Sequence, residues 1–198
     1  MCNLMLPRTN FADDAYNNEM AQLFWGRLPI ERSAAFFYYE AQSDVSRIIY
    51  ELKYHNHPEI GEQLGYFMAE ELSEKGFFDG IDLIIPVPLT RNRLRQRGYN
   101  QSVAIARGIQ RAISLPINER VLCRNRYVDS QTQKNRWQRA DNVEDAFSLC
   151  DADSIRNKHL LIVDDVVTTG ATVCACSKEL MKAGDINISV LSLGYSKT

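Results

Sequence analysis

Residues 160–172 read "LLIVDDVVTTGAT". Four apolar residues run into two adjacent carboxylates, Asp164 and Asp165, then into small hydroxyl residues and a glycine. The apolar run is a buried strand, and "GATVCACSKELMKAG" (170–184) after it reads as a helix closed by Gly184. The turn between them decides the fold and the chemistry. Gly170 and its small neighbours let backbone amides converge at the start of a helix, where its dipole favours an anion. Thr168, Thr169 and Thr172 add hydroxyls, and Gly170 and Ala171 leave room for a phosphate. Two carboxylates on the same loop repel a bare phosphate. They suit a ligand that also carries sugar hydroxyls, or a Mg²⁺ that takes oxygen ligands. A ribose 5-phosphate meets both demands. The plainer account is a threonine capping the helix beside solvated turn aspartates. The loop lacks the lysine of a Walker A motif and is not G-x-G-x-x-G.

Outward from this stretch, strands alternate with helices. "INISVLSLG" (186–194) is the next strand. Upstream, "IDLIIPVPL" (81–89) is a strand that must end near Pro86, because a central strand cannot run through two prolines. "NQSVAIARGIQRAI" (100–113) is a helix capped by Asn100, "RVLCR" (120–124) a short strand, and 125–147 a long polar stretch rich in Arg and Gln. Nearer the N-terminus come a strand at 34–40, a helix from Ser43 to residue 54, and a helix from Pro58 to Gly76. Residues 1–35 have no clean periodicity and read as an extended arm with a short helix. Alternating strands and helices give an α/β fold with a parallel sheet, and ligands bind where such strands end.

The chain has 198 residues, enough for one such domain, with 45% apolar and 24% charged residues. A net charge of -2 gives no general attraction to nucleic acid or to an anionic membrane and leaves room only for a local basic patch. No apolar run is long enough to span a bilayer, and "MCNLMLPRTN" is not a signal peptide, so the expectation is a cytoplasmic protein without a membrane partner. Five scattered cysteines argue against a disulfide framework. Cys174 and Cys176 read as small buried helix residues, and His55 and His57 as surface histidines.

The opening motif resembles the PRPP-binding signature of type I phosphoribosyltransferases. The resemblance extends to the ComF family, the competence-protein and amidophosphoribosyltransferase-like group, through "ELKYH" (51–55), "IIPVPLTRNRLRQRGYNQS" (84–102) and "RNRYVDSQTQKNRWQRADNVEDAF" (124–147). It implies the type I phosphoribosyltransferase fold: a twisted, mostly parallel sheet flanked by helices, with a small N-terminal arm or hood. The division it suggests is 1–42 as arm and 43–198 as transferase-like domain. It implies transfer of ribose 5-phosphate from PRPP with Mg²⁺ and release of pyrophosphate. The transition state of such a reaction needs cations at the leaving group and shielding from water.

On that resemblance, Asp164, Asp165, Arg97 and Arg136 are the catalytic candidates. Asp164 and Asp165 serve the sugar diol and its Mg²⁺, mostly through ligand or water. Residues 168–172 hold the 5-phosphate. Pro86, Val87, Pro88, Leu89, Thr90 and Arg91 take the place of the pyrophosphate loop, with Arg93, Arg95 and Arg97 following. Gln131, Gln133, Arg136, Arg139 and Asn142 match a loop that closes over PRPP. Asn100 and Gln101 belong to the "RGYNQ" signature, although Asn100 is equally well explained as a helix cap. Lys53 is open to two readings, a phosphate contact or a favourable charge at a helix C-terminus.

The family pattern fails at the N-terminus. ComF-type proteins usually carry a four-cysteine zinc module ahead of the transferase domain. Here only Cys2 stands in the place of its last ligand, so residues 1–42 read as a remnant and no zinc is expected. Cys2 is also the nucleophile type of glutamine amidotransferases, but the chain has no room for a glutaminase domain of about 200 residues. The expected partners are PRPP, a small-molecule acceptor, competence or DNA-uptake proteins and a second copy of the chain. Three functions stand open: a transferase, a non-catalytic PRPP or nucleotide-binding accessory factor in DNA uptake, and a DNA-binding protein using its arginine clusters.

Overall fold

A computed structural model describes residues 6–125 and 146–197. After a one-turn 3-10 helix, Phe11–Asp14, come α1 (Glu19–Gln22), β1 (Ser33–Tyr38), α2 (Asp44–Tyr54), α3 (Pro58–Ser73) and β2 (Leu83–Pro86). There follow α4 (Arg91–Arg97), α5 (Gln101–Ile113), β3 (Leu122–Arg124), β4 (Phe147–Leu149), β5 (His159–Val167), α6 (Ala171–Leu180) and β6 (Asn187–Tyr195). The main sheet has the order β1-β6-β5-β2 with every pair parallel, as the alternation of strands and helices predicts. β5 and β6 lie in its centre and are buried over most of their length.

The chain leaves β2 toward one edge, where Ile117 bridges Ile84 in parallel. It leaves β5 toward the other edge through α6 to β6. The winding direction therefore reverses between β2 and β5, and a crevice opens at their C-terminal ends. Asp164 and Asp165 sit on that rim.

Two local expectations are corrected. The strand at 120–124 does not join the parallel sheet. β3 pairs with β4 as a separate antiparallel hairpin, and the Cys123 and Cys150 sulfurs are bonded across it, with Cα atoms 6.2 Å apart. One bridge joins two of the scattered cysteines, while Cys174 and Cys176 are free and buried in α6 as expected. Second, the arginine-rich stretch after "PVPLT" is a helix rather than a loop. The Thr90 hydroxyl caps α4 by accepting from the Arg93 amide at 3.2 Å, and Gly98, at φ 79°, ends it. No α4 side chain is buried, so no apolar period marks it.

Residues 6–38 pack into the same core as the sheet. Phe11, Met20 and Phe24 are buried with β1 residues Phe36 and Phe37, and β1 is the edge strand beside β6. Asn18 caps α1 and also donates to the Ser33 carbonyl at 2.8 Å, which fixes this segment on β1. α3 and α5 pack at very close range. A Cβ on Gly65 would lie 2.2 Å from the Ile105 carbonyl oxygen, and one on Gly108 would lie 2.0 Å from that of Glu62. The resulting closeness lets α5 lie on β2 and β5 with its N-terminus at the crevice. No helix among the described residues is long and apolar enough to cross a membrane.

Candidate functional site

Four segments far apart in sequence converge at the crevice. The carboxyl pair terminates the buried part of β5. Asp164 accepts two bonds on Oδ1, from the Asp165 amide at 2.8 Å and the Ser102 hydroxyl at 3.3 Å. Burial and the neighbouring Asp165 push its pKa up to about 7, against the opposing pull of those hydrogen bonds and Lys53. Asp165 pairs through Oδ2 with the Lys53 ammonium at 3.1 Å, and both side chains are largely buried. Lys53 thus does more than favour the end of α2: it neutralises one carboxylate of the site. The other oxygens, Oδ2 of Asp164 and Oδ1 of Asp165, have no protein partner among the described residues. Two hard carboxylate oxygens fit Mg²⁺, which keeps ligand and water oxygens in the rest of its shell.

"ELKYH" and "RGYNQ" meet at this place. The Tyr99 hydroxyl donates to the Leu52 carbonyl, the Arg97 guanidinium lies 5.4 Å from the Tyr54 ring centre, and Arg97 Nη1 donates to Gln101 Oε1 at 2.7 Å. Gln101 is fully buried, and its Nε2 has no hydrogen-bond partner among the described residues. Asn100 fills a structural role. Its Oδ1 accepts from the Ser102 amide and its Nδ2 donates to the Val87 carbonyl, each at 3.0 Å. One side chain thereby caps α5 and ties it to the segment after β2. That segment is held from the sheet side as well, since the Val87 amide donates to Val163 at 3.0 Å. Pro86 belongs to β2, Pro88 and Leu89 form the connection, the Thr90 hydroxyl is used on α4, and Arg91 opens that helix.

On the other flank, Thr168 and Thr169 are exposed and Gly170 starts α6 with φ 72°. Thr169 Oγ1 lies 3.4 Å from the Ala171 amide. The first amides of α6, including that of Thr172, have no acceptor within the helix. The loop rests on the N-terminal segment. A Cβ on Gly170 would lie 2.9 Å from the Phe24 ring, and Arg27 Nη1 donates to the Thr169 carbonyl at 3.3 Å. Gln131, Gln133, Arg136, Arg139 and Asn142 lie outside the described residues, as does Cys2.

Ser102, Tyr99, Phe24 and Arg27 escaped the reading of the residues. Ser102 and Tyr99 lie inside the quoted "RGYNQS" stretch, and serine at the second position of a capped helix was the available signal. Nothing in the sequence marks Phe24 and Arg27 as neighbours of the threonine loop.

No family model matches the chain. Solved structures similar to it include the Bacillus subtilis glutamine phosphoribosylpyrophosphate amidotransferase complexed with ADP and GMP. Its TM-score is 0.46 at 21% identity, over 71% of this chain and 30% of that one. Another is the Leishmania tarentolae adenine phosphoribosyltransferase, with TM-score 0.40 at 14% identity over 91% and 88%. Among curated proteins, DNA utilization protein YhgH of Escherichia coli O157:H7 is 30% identical over 152 residues, 75% of this chain and 66% of that protein. Competence protein F of Haemophilus influenzae is 34% identical over 113 residues, 57% of this chain and 49% of that protein. Competence protein ComFC of Streptococcus pneumoniae is 29% identical over 127 residues, 64% and 52% of the two chains. The chain spans about half to two thirds of the length of these relatives. With the acidic pair, the threonine loop and the "RGYNQ" helix start in place, the chain belongs to the ComF family of competence and DNA-utilization proteins.

Proposed function

We propose that the protein binds PRPP in the crevice between β2 and β5 and transfers its ribosyl 5-phosphate to a small-molecule acceptor, releasing pyrophosphate. The observation that carries this reading is the placement of Asp164 and Asp165. One oxygen of each is held, by Ser102 and the Asp165 amide on one side and Lys53 on the other, while the second oxygen has no partner among the described residues and the threonine loop follows directly in the chain. A phosphate alone gives no use for those carboxylates. A phosphorylated sugar diol does.

In this reading the amides of residues 168–172 bind the 5-phosphate, and the Gly170 turn brings them close to it. Asp164 Oδ2 and Asp165 Oδ1 accept from the ribose hydroxyls or hold Mg²⁺ and its waters. Bound Mg²⁺ supplies charge neutralisation on the pyrophosphate leaving group. Arg97, held by Gln101 and lying over the Tyr54 ring, closes α4, the helix that follows the segment expected to face the pyrophosphate.

A second reading is a PRPP- or nucleotide-binding accessory factor in DNA uptake that does not turn over. The names of its relatives, a DNA utilization protein and two competence proteins, favour it. A pyrophosphate-release assay with PRPP, Mg²⁺ and a panel of bases, amines and ammonia separates the two. Release that depends on one acceptor class supports the transferase. PRPP binding without release from any acceptor supports the accessory factor.

A further inference from the structure

Residues 168–172 offer an anion their backbone amides, so the orientation of each peptide there decides whether it attracts or repels a phosphate. In a trans peptide the carbonyl oxygen and the following N–H point to opposite sides. The Thr169–Gly170 peptide is trans. The direction of the Thr169 carbonyl therefore fixes the direction of the Gly170 amide. Gly170 lies at φ 72°. Glycine accepts φ of either sign, which leaves this peptide two orientations related by a flip, as between type I and type II turns. One of them turns an amide toward the phosphate; the other turns a carbonyl toward it.

The N-terminal segment selects between the two. Arg27 Nη1 donates to the Thr169 carbonyl at 3.3 Å and to the Leu23 carbonyl at 3.1 Å. The bond to Leu23, with that from the Arg27 amide to the Phe24 carbonyl at 3.0 Å, fixes the arginine on the turn after α1. The same turn backs the loop by contact. A Cβ on Gly170 would lie 2.9 Å from the Phe24 ring and 3.7 Å from Leu23 Cβ. The Gly170 amide, on the far side of the peptide from Arg27, donates to no group among the described residues.

Charge points the same way. Both acceptors bonded by Arg27 are neutral carbonyls rather than carboxylates. Its charge reaches the first turn of α6: burial pushes the Cys174 thiol up, and Arg27 pulls against that push. A cation beside a helix N-terminus is unfavourable alone, because it meets the positive end of the dipole. It becomes favourable once an anion lies there.

We propose that Arg27 is a positioning residue of the phosphate loop. It holds the Thr169 carbonyl away from the anion, so that the Gly170 amide faces it, and its charge strengthens the attraction for a phosphate monoester. The proposal rests on the reading that residues 168–172 hold the 5-phosphate. The N-terminal segment is then a working part of the site.

The test is calorimetric titration of the full chain with ribose 5-phosphate, a phosphate monoester without a pyrophosphate group. Pyrophosphate with Mg²⁺, which has no 5-phosphate, is titrated in parallel. Wild type, Arg27→Met and Arg27→Lys are compared, and the Gly170 amide signal is followed by NMR. Arg27→Met is expected to weaken ribose 5-phosphate by about tenfold, the loss of a cationic donor. Arg27→Lys keeps a cationic donor and should stay within about threefold of the wild type. Pyrophosphate affinity and the thermal unfolding midpoint should not change, since Arg27 is exposed. The Gly170 amide signal should shift in Arg27→Met and return in Arg27→Lys. The proposal is overturned if Arg27→Met binds ribose 5-phosphate as tightly as the wild type, or if Arg27→Lys binds as weakly as Arg27→Met. It is also overturned if affinity falls only in step with stability, the mark of a merely structural role. In these cases binding by the wild type leaves the 5-phosphate reading standing. A wild type that binds no ribose 5-phosphate overturns the proposal together with that reading.

Discussion

The Lys53 ammonium lies 3.1 Å from Asp165 Oδ2, joining the last turn of α2 to the end of the central strand β5. This ion pair ties the "ELKYH" segment to the acidic motif. Both side chains are largely withdrawn from water, so removing one partner leaves a charge with poor solvation. Lys53→Met should destabilise the fold by about 1–3 kcal/mol in urea unfolding. Much of the loss should disappear when Asp165→Asn is already present, a coupling of about 1 kcal/mol in a double-mutant cycle. Additive losses would show that the pair contributes nothing as a pair.

Asp164 predicts a pH dependence of definite sign. Its pKa is raised from 3.8 to about 7, so the folded state holds this proton more tightly than the unfolded chain. The stability from Asp164 is therefore full below pH 4 and is lost as pH rises from 4 through 7. Asp164→Asn should stabilise the ligand-free protein at pH 8 by about 1–3 kcal/mol and have little effect near pH 4. Thermal unfolding of both proteins across that range measures the difference. PRPP with Mg²⁺ should bind more tightly as pH rises through 7, since the proposed contacts use the carboxylate form.

The α3–α5 contact sets a limit on side-chain size. Gly65→Ala and Gly108→Ala each drive a methyl group into a carbonyl oxygen of the facing helix. Each should cost about 2 kcal/mol or more, despite the better helix propensity of alanine. Gly26→Ala, where the added Cβ meets nothing but φ is 69°, should cost only about 1 kcal/mol from backbone strain. Urea denaturation of the three variants gives the ranking.

Gly170 joins the threonine loop to the N-terminal segment. Alanine there meets both an unfavourable φ of 72° and the Phe24 ring at 2.9 Å. Gly170→Ala should destabilise by about 1–3 kcal/mol. Combining it with Phe24→Leu should recover the packing share but not the backbone share. Failure of the second change to recover any stability would show that the loop does not rest on Phe24.

Elements with a dominant apolar pattern could be read before the structure. β5 is announced by "LLIV", α5 by apolar residues at helical spacing after Asn100, and the end of β2 by Pro86 and Pro88. The acidic pair and the threonine loop were legible because their chemistry is written in consecutive residues. α4 was not, because none of its side chains is buried and no apolar period marks it. β3 was read within "RVLCR", but its antiparallel partner β4 is three residues long, too short for an alternation to register. Partners of the site residues were the least legible part. Lys53 with Asp165, Ser102 with Asp164, and Arg27 with Thr169 are brought together by sheet order and helix packing, which local pattern does not encode. Asn100 shows the converse: its cap was expected, whereas its bond to Val87 follows only from the placement of α5 beside β2.

The central claim is that Asp164 and Asp165 serve the sugar end of PRPP. Calorimetric titration of PRPP with Mg²⁺ tests it most directly, using the wild type and the paired Asp164→Asn, Asp165→Asn variant, with folding of the variant checked by circular dichroism. The account predicts saturable single-site binding to the wild type and none detectable in the folded variant. Equal affinity in the two proteins would contradict it.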